Sequence, residues 1–221
     1  DYFGTNSTDE PNGFYLDFKS SGSLGNDANG SNNWTPSAGI TLVDQMLDSP
    51  TNNFATLNPL DGYQSGALLE GNLEITGANF NLTKATFAMS SGKWYWEWVN
   101  TANSLAPYVG VSGKSLTTTA HATTAFSWYG HSNSYVINYT STTLVADTAI
   151  GIGDVVGIAV DCDTGTIKYY LEDTLIHTDT TLTIGEEVYP TMISTSSSTG
   201  WGTATFNFGQ DSSFAGNKTS G

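Results

Sequence analysis

The sequence predicts an all-β fold, a two-sheet antiparallel β-sandwich, from three observations. Residues 153–178, GDVVGIAVDCDTGTIKYYLEDTLIHT, contain three strand-like runs joined by short polar turns, which is typical of an antiparallel meander. Both alternating sets of residues within Val155–Val160 are apolar, as expected for a strand inside a sandwich. Similar short runs recur at close spacing as far as Phe208, with no helical period between them.

Each turn of this meander has a local chemical reason. Asp161, Asp163 and Gly165 supply the first turn, and Gly165 is free to take a positive φ. The strand Thr166–Leu171 then resumes the alternation, with every second residue directed inward. The polar run Glu172–Thr174 forms a second short turn before the chain pairs back. Three consecutive strands with short links therefore predict neighbours in one sheet.

About eleven strands are predicted in all, a number suited to two packed sheets. Besides the first two strands of the meander, the predicted strands are Ala67–Ile75, Phe80–Phe87, Gly92–Val99, Tyr108–Val111, Ala125–Trp128, Tyr135–Tyr139, Leu175–Thr178, Thr191–Ser194 and Ala204–Phe208. Near the N-terminus, Phe14, Leu16 and Phe18 alternate as one further strand. Leu42–Leu47 is expected to form at most a single helical turn, because prolines bound it.

Residues 153–178 resemble the signature of the SPRY domain family, which carries an apolar strand, an Asp-x-Asp-x-Gly-Thr turn and an aromatic strand. Four further segments are similar to family elements in the same order: Ser91–Val99 (SGKWYWEWV), Tyr108–Ser112 (YVGVS), Tyr189–Met192 (YPTM) and Thr205–Gly209 (TFNFG). The resemblance implies a concanavalin-like jelly-roll sandwich. It also implies a recognition module with its ligand on variable loops, and it leaves the partner open because one fold hosts many ligands.

The N-terminal phrases NGFYLDFKSSGSLGNDANGSNNWTP and DSPTNNFATLNP resemble the joints that precede SPRY-like domains in structural proteins of marine tailed bacteriophages. In this interpretation residues 1–37 are a linker or the C-terminal remnant of an upstream laminin-G-like or fibre module. Residues 38–215 form the sandwich, and residues 216–221 form a tail. The expected location is the virion surface or another extracellular setting, with a homotrimer as a possible assembly through flanks outside this sequence.

Composition limits the classes of partner. Six basic and 21 acidic residues give a net charge of −15, which argues against nucleic acid and against an anionic membrane surface. No apolar run approaches the roughly 18 residues that a membrane-spanning helix needs, so no membrane insertion is expected. The single cysteine, Cys162, shares the parity of core residues and is expected to be a buried, inert thiol.

No catalytic, metal or cofactor site is predicted. His121, His131 and His177 have no metal-ligand spacing. Asp161 and Asp163 resemble the start of a calcium loop, but the later ligands are missing, so they are interpreted as turn residues. A further alternative is a polysaccharide hydrolase or lyase, through carboxylates that meet only in space. The residues considered for it are Asp147, Asp154, Glu186 and Glu187.

One strand carries three tryptophans on the same face, Trp94, Trp96 and Trp98. Stacked indoles suggest a binding platform, but the family resemblance implies that this strand packs the core, although family members more often have a small or β-branched residue in place of Trp98. Glu97 is a charge in an otherwise apolar strand. It is interpreted as a carboxylate hydrogen-bonded at a sheet edge or to a loop.

The favoured functional segment is residues 117–139, where aromatic residues alternate with small polar ones. Aromatic rings stack on the apolar faces of sugars while amides and hydroxyls meet the sugar hydroxyls. The candidate glycan-binding residues are Trp128, Tyr129, His131, Asn133 and Tyr135, together with Trp201 in a later polar loop. The sequence thus predicts a non-catalytic phage recognition module that binds a glycan. The alternative is an interaction module for another virion protein.

Overall fold

A computed structural model describes the chain over residues 13–20, 22–36, 53–61, 67–76, 82–102, 107–116, 125–130, 135–138, 143–145, 150–193, 203–214 and 216–219. Within 125–145 it describes the backbone only. The chain forms two compact units, residues 1–47 and 48–221. The domain boundary predicted after residue 37 and the helical turn predicted at Leu42–Leu47 lie outside the described residues.

The larger unit is a β-sandwich of two antiparallel sheets, which confirms the predicted fold class. One sheet has the strand order β1-β2-β13-β4-β9-β10-β11 and the other β3-β12-β5-β6-β7-β8. The strands are β1 (Leu68–Leu69), β2 (Glu74–Ile75), β3 (Leu82–Lys84), β4 (Lys93–Ala102), β5 (Tyr108–Gly113), β6 (Ala125–Gly130), β7 (Tyr135–Asn138), β8 (Thr143–Val145), β9 (Val155–Asp161), β10 (Thr166–Leu171), β11 (Thr174–Asp179), β12 (Val188–Ile193) and β13 (Thr203–Asn207). Among the described residues, no helix has the length and apolar character to cross a membrane.

The core lies between the two sheets and is built from alternate residues of their inner faces. Trp96 and Trp98 of β4 are 2% and 0% exposed and pack in one cluster with Val109 of β5 and Met192 of β12. These two indoles are therefore core residues, and the binding-platform interpretation is wrong for them. Trp94 at the start of β4 is 40% exposed, and its Nε1 donates to the Ser91 carbonyl at 2.8 Å.

The predicted meander is confirmed as β9, β10 and β11, which are neighbours in the seven-stranded sheet. Gly165 adopts the expected positive φ of 67° at the first turn. Cys162 lies in the core at 3% exposure. Burial raises the pKa of its thiol, and the neighbouring Asp163 and Asp161 raise it further, so the nucleophilic thiolate is disfavoured.

Two predicted strands differ in the structure. The run Ala67–Ile75 is a hairpin and not one strand, because Glu70, Gly71 and Asn72 all take positive φ between β1 and β2. The alternating residues near the N-terminus do not form a strand: Leu16 makes an isolated bridge with Asp27. Phe14 and Phe18 are largely exposed, so their alternation does not bury an apolar face.

In the smaller unit, the buried carboxylate of Asp27 organises the described chain. It accepts backbone N–H bonds from Tyr15 at 2.9 Å and from Asn29 and Asn32 at 3.1 Å. The Tyr15 bond, followed by the Asn29 bond, lowers the pKa of this carboxyl on balance. Phe14 and Trp34 meet edge to face with ring centroids 4.9 Å apart. One aspartate side chain thereby accepts backbone N–H groups that have no strand partner in this short segment.

A buried lysine fastens one edge of the six-stranded sheet. Lys84 of β3 has a side chain that is 1% exposed, and its Nζ donates to Asp61 Oδ1 at 3.3 Å and to the Lys114 carbonyl at 3.1 Å. The ring centroid of Tyr189 lies 6.0 Å away. A buried ammonium is tolerated only with such partners. Lys84 therefore links two segments: the loop that contains Asp61, and the residue that follows β5.

We expect Asp61→Ala to lower the free energy of unfolding by about 2 kcal/mol, because it leaves the buried Lys84 ammonium without its carboxylate partner. Lys84→Met keeps the apolar stem and removes the charge, so it should cost about 1 kcal/mol. Adding Asp61→Ala to Lys84→Met should then have almost no effect. Urea unfolding of the three variants measures this coupling. An equal cost of Asp61→Ala with and without Lys84 would show that the pair does not act as described.

Candidate functional site

The predicted loop aromatics fall on β6, β7 and the segments beside them. Trp128 and Tyr129 lie in β6 and Tyr135 begins β7, but only their backbone belongs to the described structure. His131, Asn133 and Trp201 lie outside the described residues. Three of the six candidates thus lie on the two paired strands β6 and β7.

The strand register separates the two neighbouring aromatic positions of β6. Position 129 pairs with Val109, which is a core residue, whereas position 128 pairs with Gly110 and Ile137. Successive residues of a strand lie on opposite faces. Position 128 therefore belongs to the outer face of the six-stranded sheet, and Tyr135 pairs with Gly130 at the end of the same hairpin.

The described residues bring a different group of side chains together, on the outer face of the seven-stranded sheet. Glu97 of β4 lies opposite Asn207 of β13 and Gly157 of β9, and Gly157 lies opposite Tyr170 of β10. Tyr95 precedes Glu97 by two residues and shares its face. We call Tyr95, Glu97, Asn207 and Tyr170 the Tyr95 patch. Its side chains come from β13, β4 and β10, with β9 between the last two, and neighbouring strands lie about 4.8 Å apart.

Gly157 gives the patch its shape because it leaves room for an aromatic ring. A Cβ atom added at Gly157 would lie 2.5 Å from Tyr95 Oη and 3.1 Å from both Cε2 and Cζ of that ring. The ring therefore rests directly on the bare backbone of β9, a contact that also compensates for the missing side chain. The hydroxyl end of the Tyr95 ring makes this contact, while the residue remains 53% exposed.

Two hydrogen bonds orient the carboxylate of the patch. Tyr95 Oη donates to Glu97 Oε1 at 2.8 Å, and Asn207 Nδ2 donates to Glu97 Oε2 at 3.4 Å. Burial raises the pKa of the Tyr95 hydroxyl well above its usual value, and the bond and charge of Glu97 raise it further. The hydroxyl therefore stays protonated and continues to donate. Glu97 was expected at a sheet edge or against a loop, but β4 is an interior strand between β13 and β9.

Glu97 pairs with no lysine among the described residues. Lys93 pairs with Asp161 and Lys218 with Glu172, each at 3.7 Å. Lys168 stands on the same face but two strands away from Tyr95, through Ala159. The carboxylate is thus hydrogen-bonded to neutral groups while its charge has no partner of opposite sign.

The sequence drew attention to Glu97 but not to the patch. Asn207 is 110 residues distant along the chain, and Tyr95 meets Gly157 only through the register of β4 and β9. A glycine inside the apolar run VVGIAV was the available signal, because such a glycine often marks the close approach of another group.

Comparison with known proteins agrees with this architecture. The family model described as the SPRY domain matches residues 93–211, from the start of β4 to beyond β13. This match covers more than half of the chain. The chain belongs to the SPRY domain family. The resemblance found in the sequence is confirmed at the level of the family, whose members are protein–protein interaction modules.

Solved structures share the SPRY sandwich at low sequence identity. The SPRY domain of human HERC1 is 18% identical, with a TM-score of 0.51, and the match covers 67% of this chain and 95% of that one. A stonustoxin structure is 20% identical, with a TM-score of 0.52, over 70% of this chain and 27% of that one. These likenesses establish the fold alone. No match was found among curated protein sequences.

In this SPRY domain the Asp161–Asp163 segment serves as a turn. Asp161 Oδ1 accepts the backbone N–H groups of Asp163 and Thr164 at 3.1 Å, and Asp163 Oδ1 accepts that of Gly92 at 2.9 Å. Burial works to raise the pKa of Asp161, but the Thr164 bonds, the Asp163 bond and the Lys93 charge lower it on balance. The described residues contain no group of side chains suited to a metal ion.

Asp163→Ala should lower the free energy of unfolding by about 1 kcal/mol, because the Gly92 N–H loses its acceptor. Calcium chloride should leave the melting temperature of both wild type and variant unchanged, since the carboxylates already serve the backbone. Differential scanning calorimetry with and without calcium measures both effects. Stabilisation by calcium that disappears in Asp163→Ala would restore the metal interpretation of the turn.

The raised pKa of Tyr95 predicts a change of stability in alkali. The folded domain keeps the Tyr95 proton above pH 10, where the tyrosine of an unfolded chain releases it. The contribution of this group to the free energy of unfolding is therefore complete below about pH 10 and declines above it. The advantage of wild type over Tyr95→Phe should therefore be constant from neutral pH to about pH 9 and shrink at higher pH. Urea unfolding of both proteins across this range provides the measurement. An advantage that grows in alkali would contradict the assigned bond.

Proposed function

We propose that this chain is a non-catalytic recognition module whose partner is another protein, bound through the Tyr95 patch. The observation that supports this most directly is the placement of an exposed aromatic ring and a charged carboxylate on one interior strand, β4, with both groups oriented by hydrogen bonds. Such groups lose little side-chain entropy when a ligand arrives. Sites held on strands are also positioned more accurately than sites on loops.

The interior packing of β4 supports the same conclusion. Trp96 and Trp98 alternate with Tyr95 and Glu97 and are buried, so the strand cannot rotate or slip without exposing two indoles. A one-residue slip would exchange the two faces completely. The patch therefore presents one fixed arrangement to a partner. That property suits an interaction module of the SPRY family.

The proposed setting is a structural protein of a tailed bacteriophage, exposed on the virion surface. The resemblance of the N-terminal phrases to phage joint segments supports this setting, as does the net charge of −15, which opposes self-association. Within a virion the partner would be a neighbouring structural protein or a host-surface protein. Many copies on one particle would raise a modest affinity of each domain by multivalency.

A second candidate function is glycan binding by the loop aromatics, including Trp201. The specific observation in its favour is the register that assigns position 128 to the outer face and pairs Tyr135 with Gly130 in the same hairpin. Position 129 is less suitable, since it pairs with the core residue Val109. This function would use the six-stranded sheet and not the Tyr95 patch.

Selection of a random peptide library on the immobilised domain tests the protein-binding proposal. We expect selected peptides to bind wild type and to lose about tenfold in affinity for Tyr95→Ala, as a central aromatic contact would. Trp128→Ala should bind the same peptides normally. A glycan array is probed in parallel with wild type and Trp128→Ala. Failure to select any peptide, together with array binding that Trp128→Ala abolishes, would replace the protein partner with a glycan.

A further inference from the structure

We propose that the Tyr95 patch recognises an arginine-bearing segment of its protein partner. In this arrangement the guanidinium group stacks on the exposed face of Tyr95 and pairs with the Glu97 carboxylate. The inference deepens the proposed function and rests on it. It concerns the chemistry of the bound group, whereas the proposed function concerns the class of partner.

The first step of the argument is the unpaired charge of Glu97. Its two carboxylate oxygens each accept one hydrogen bond from a neutral group, Tyr95 Oη and Asn207 Nδ2. A carboxylate has about four lone-pair sites, so each oxygen can accept one more bond. No cation among the described lysines pairs with it. A ligand that donates two parallel N–H bonds therefore fits the remaining sites.

The second step is the exposed ring beside that carboxylate. Tyr95 is fixed by Gly157 beneath it and by its bond to Glu97, while 53% of the residue remains exposed. A cation over such a ring gains a further attraction. Because the ring hydroxyl and the carboxylate are only 2.8 Å apart, one small group can contact both. Guanidinium is planar, weakly hydrated and able to stack, which an ammonium group is not.

The third step identifies the source of the cation. The 221 residues contain six basic residues, and all six are lysines. A second copy of this segment therefore cannot supply a guanidinium group. The net charge of −15 favours the approach of a basic segment of a different protein. An arginine-bearing partner is the occupant that satisfies both the charge and the ring.

Titration with short peptides of the repeat Gly-Ser-Arg, followed by amide NMR of the domain, tests this inference. We expect shifts at Tyr95, Glu97 and Gly157 and weaker binding at high salt. The matched Gly-Ser-Lys peptide should bind about threefold more weakly, since it pairs without stacking. Glu97→Gln, which keeps the shape of the side chain, should weaken binding of the arginine peptide about tenfold.

Three variants separate recognition from simple charge. Gly157→Ala displaces the Tyr95 ring and should weaken binding about threefold, while Tyr95→Phe keeps the ring and should change it less. Glu186→Gln removes the same charge from an exposed loop position and should have no effect. Thermal unfolding of each variant verifies that it is folded. Equal binding of the arginine and lysine peptides, or equal losses in Glu97→Gln and Glu186→Gln, would overturn the inference.

The same variants distinguish this inference from the proposed function. Peptides selected from a random library that lack arginine and bind Glu97→Gln as well as wild type would refute the arginine assignment while the domain still binds protein. Selected peptides enriched in arginine, with binding lost in Glu97→Gln, would support both conclusions.

Discussion

Strand β4 imposes the constraint on which the larger unit depends, because its two faces serve different environments at once. Inward, Trp96 and Trp98 occupy the core; outward, Tyr95 and Glu97 form the patch. The Nε1 atoms of both buried indoles have no hydrogen-bond partner in the described structure, at a cost of about 1–3 kcal/mol each. The large apolar surface that the rings bury offsets this cost. Core packing thus fixes the register that orients the outer side chains.

The few cations of the chain are largely committed to its own carboxylates. Lys84 is buried against Asp61, and Lys19, Lys93 and Lys218 each pair with an acidic neighbour. The exposed pairs contribute little stability individually. Because these pairs use four of the six lysines, the excess of acidic groups stays uncompensated at the surface. Association with a basic partner would therefore begin from long-range attraction and would be sensitive to salt.

Local chemistry explains which parts of the fold were predictable. The meander of β9, β10 and β11 was found because its turns contain Asp, Gly and Thr at positions that demand them. The hairpin of β1 and β2 was missed because Glu70, a residue type that seldom adopts positive φ, does so beside Gly71 and Asn72. Strand β8 has only three residues, too few for a periodic signal.

The candidate site was less predictable than the fold because its parts meet through long-range pairing. Glu97 was noticed as an isolated charge, yet its partner Asn207 lies on a strand that joins β4 from far along the chain. The aromatic segment near Trp128 attracted attention because its composition is visible locally. No local pattern reveals that Tyr95 rests on Gly157, since that contact depends on the register of two strands.

The contact between Tyr95 and Gly157 limits how this surface can diverge in evolution. A side chain at residue 157 would displace the ring, so the patch keeps this arrangement only while residue 157 is glycine. Asn207 and Tyr170 belong to the patch but lie on β13 and β10, not beneath the ring. Related domains could therefore exchange these two residues to acquire new partners while retaining the glycine and the tyrosine. Gly157 would then keep Tyr95 in place while changes at the other positions alter which partner the surface binds.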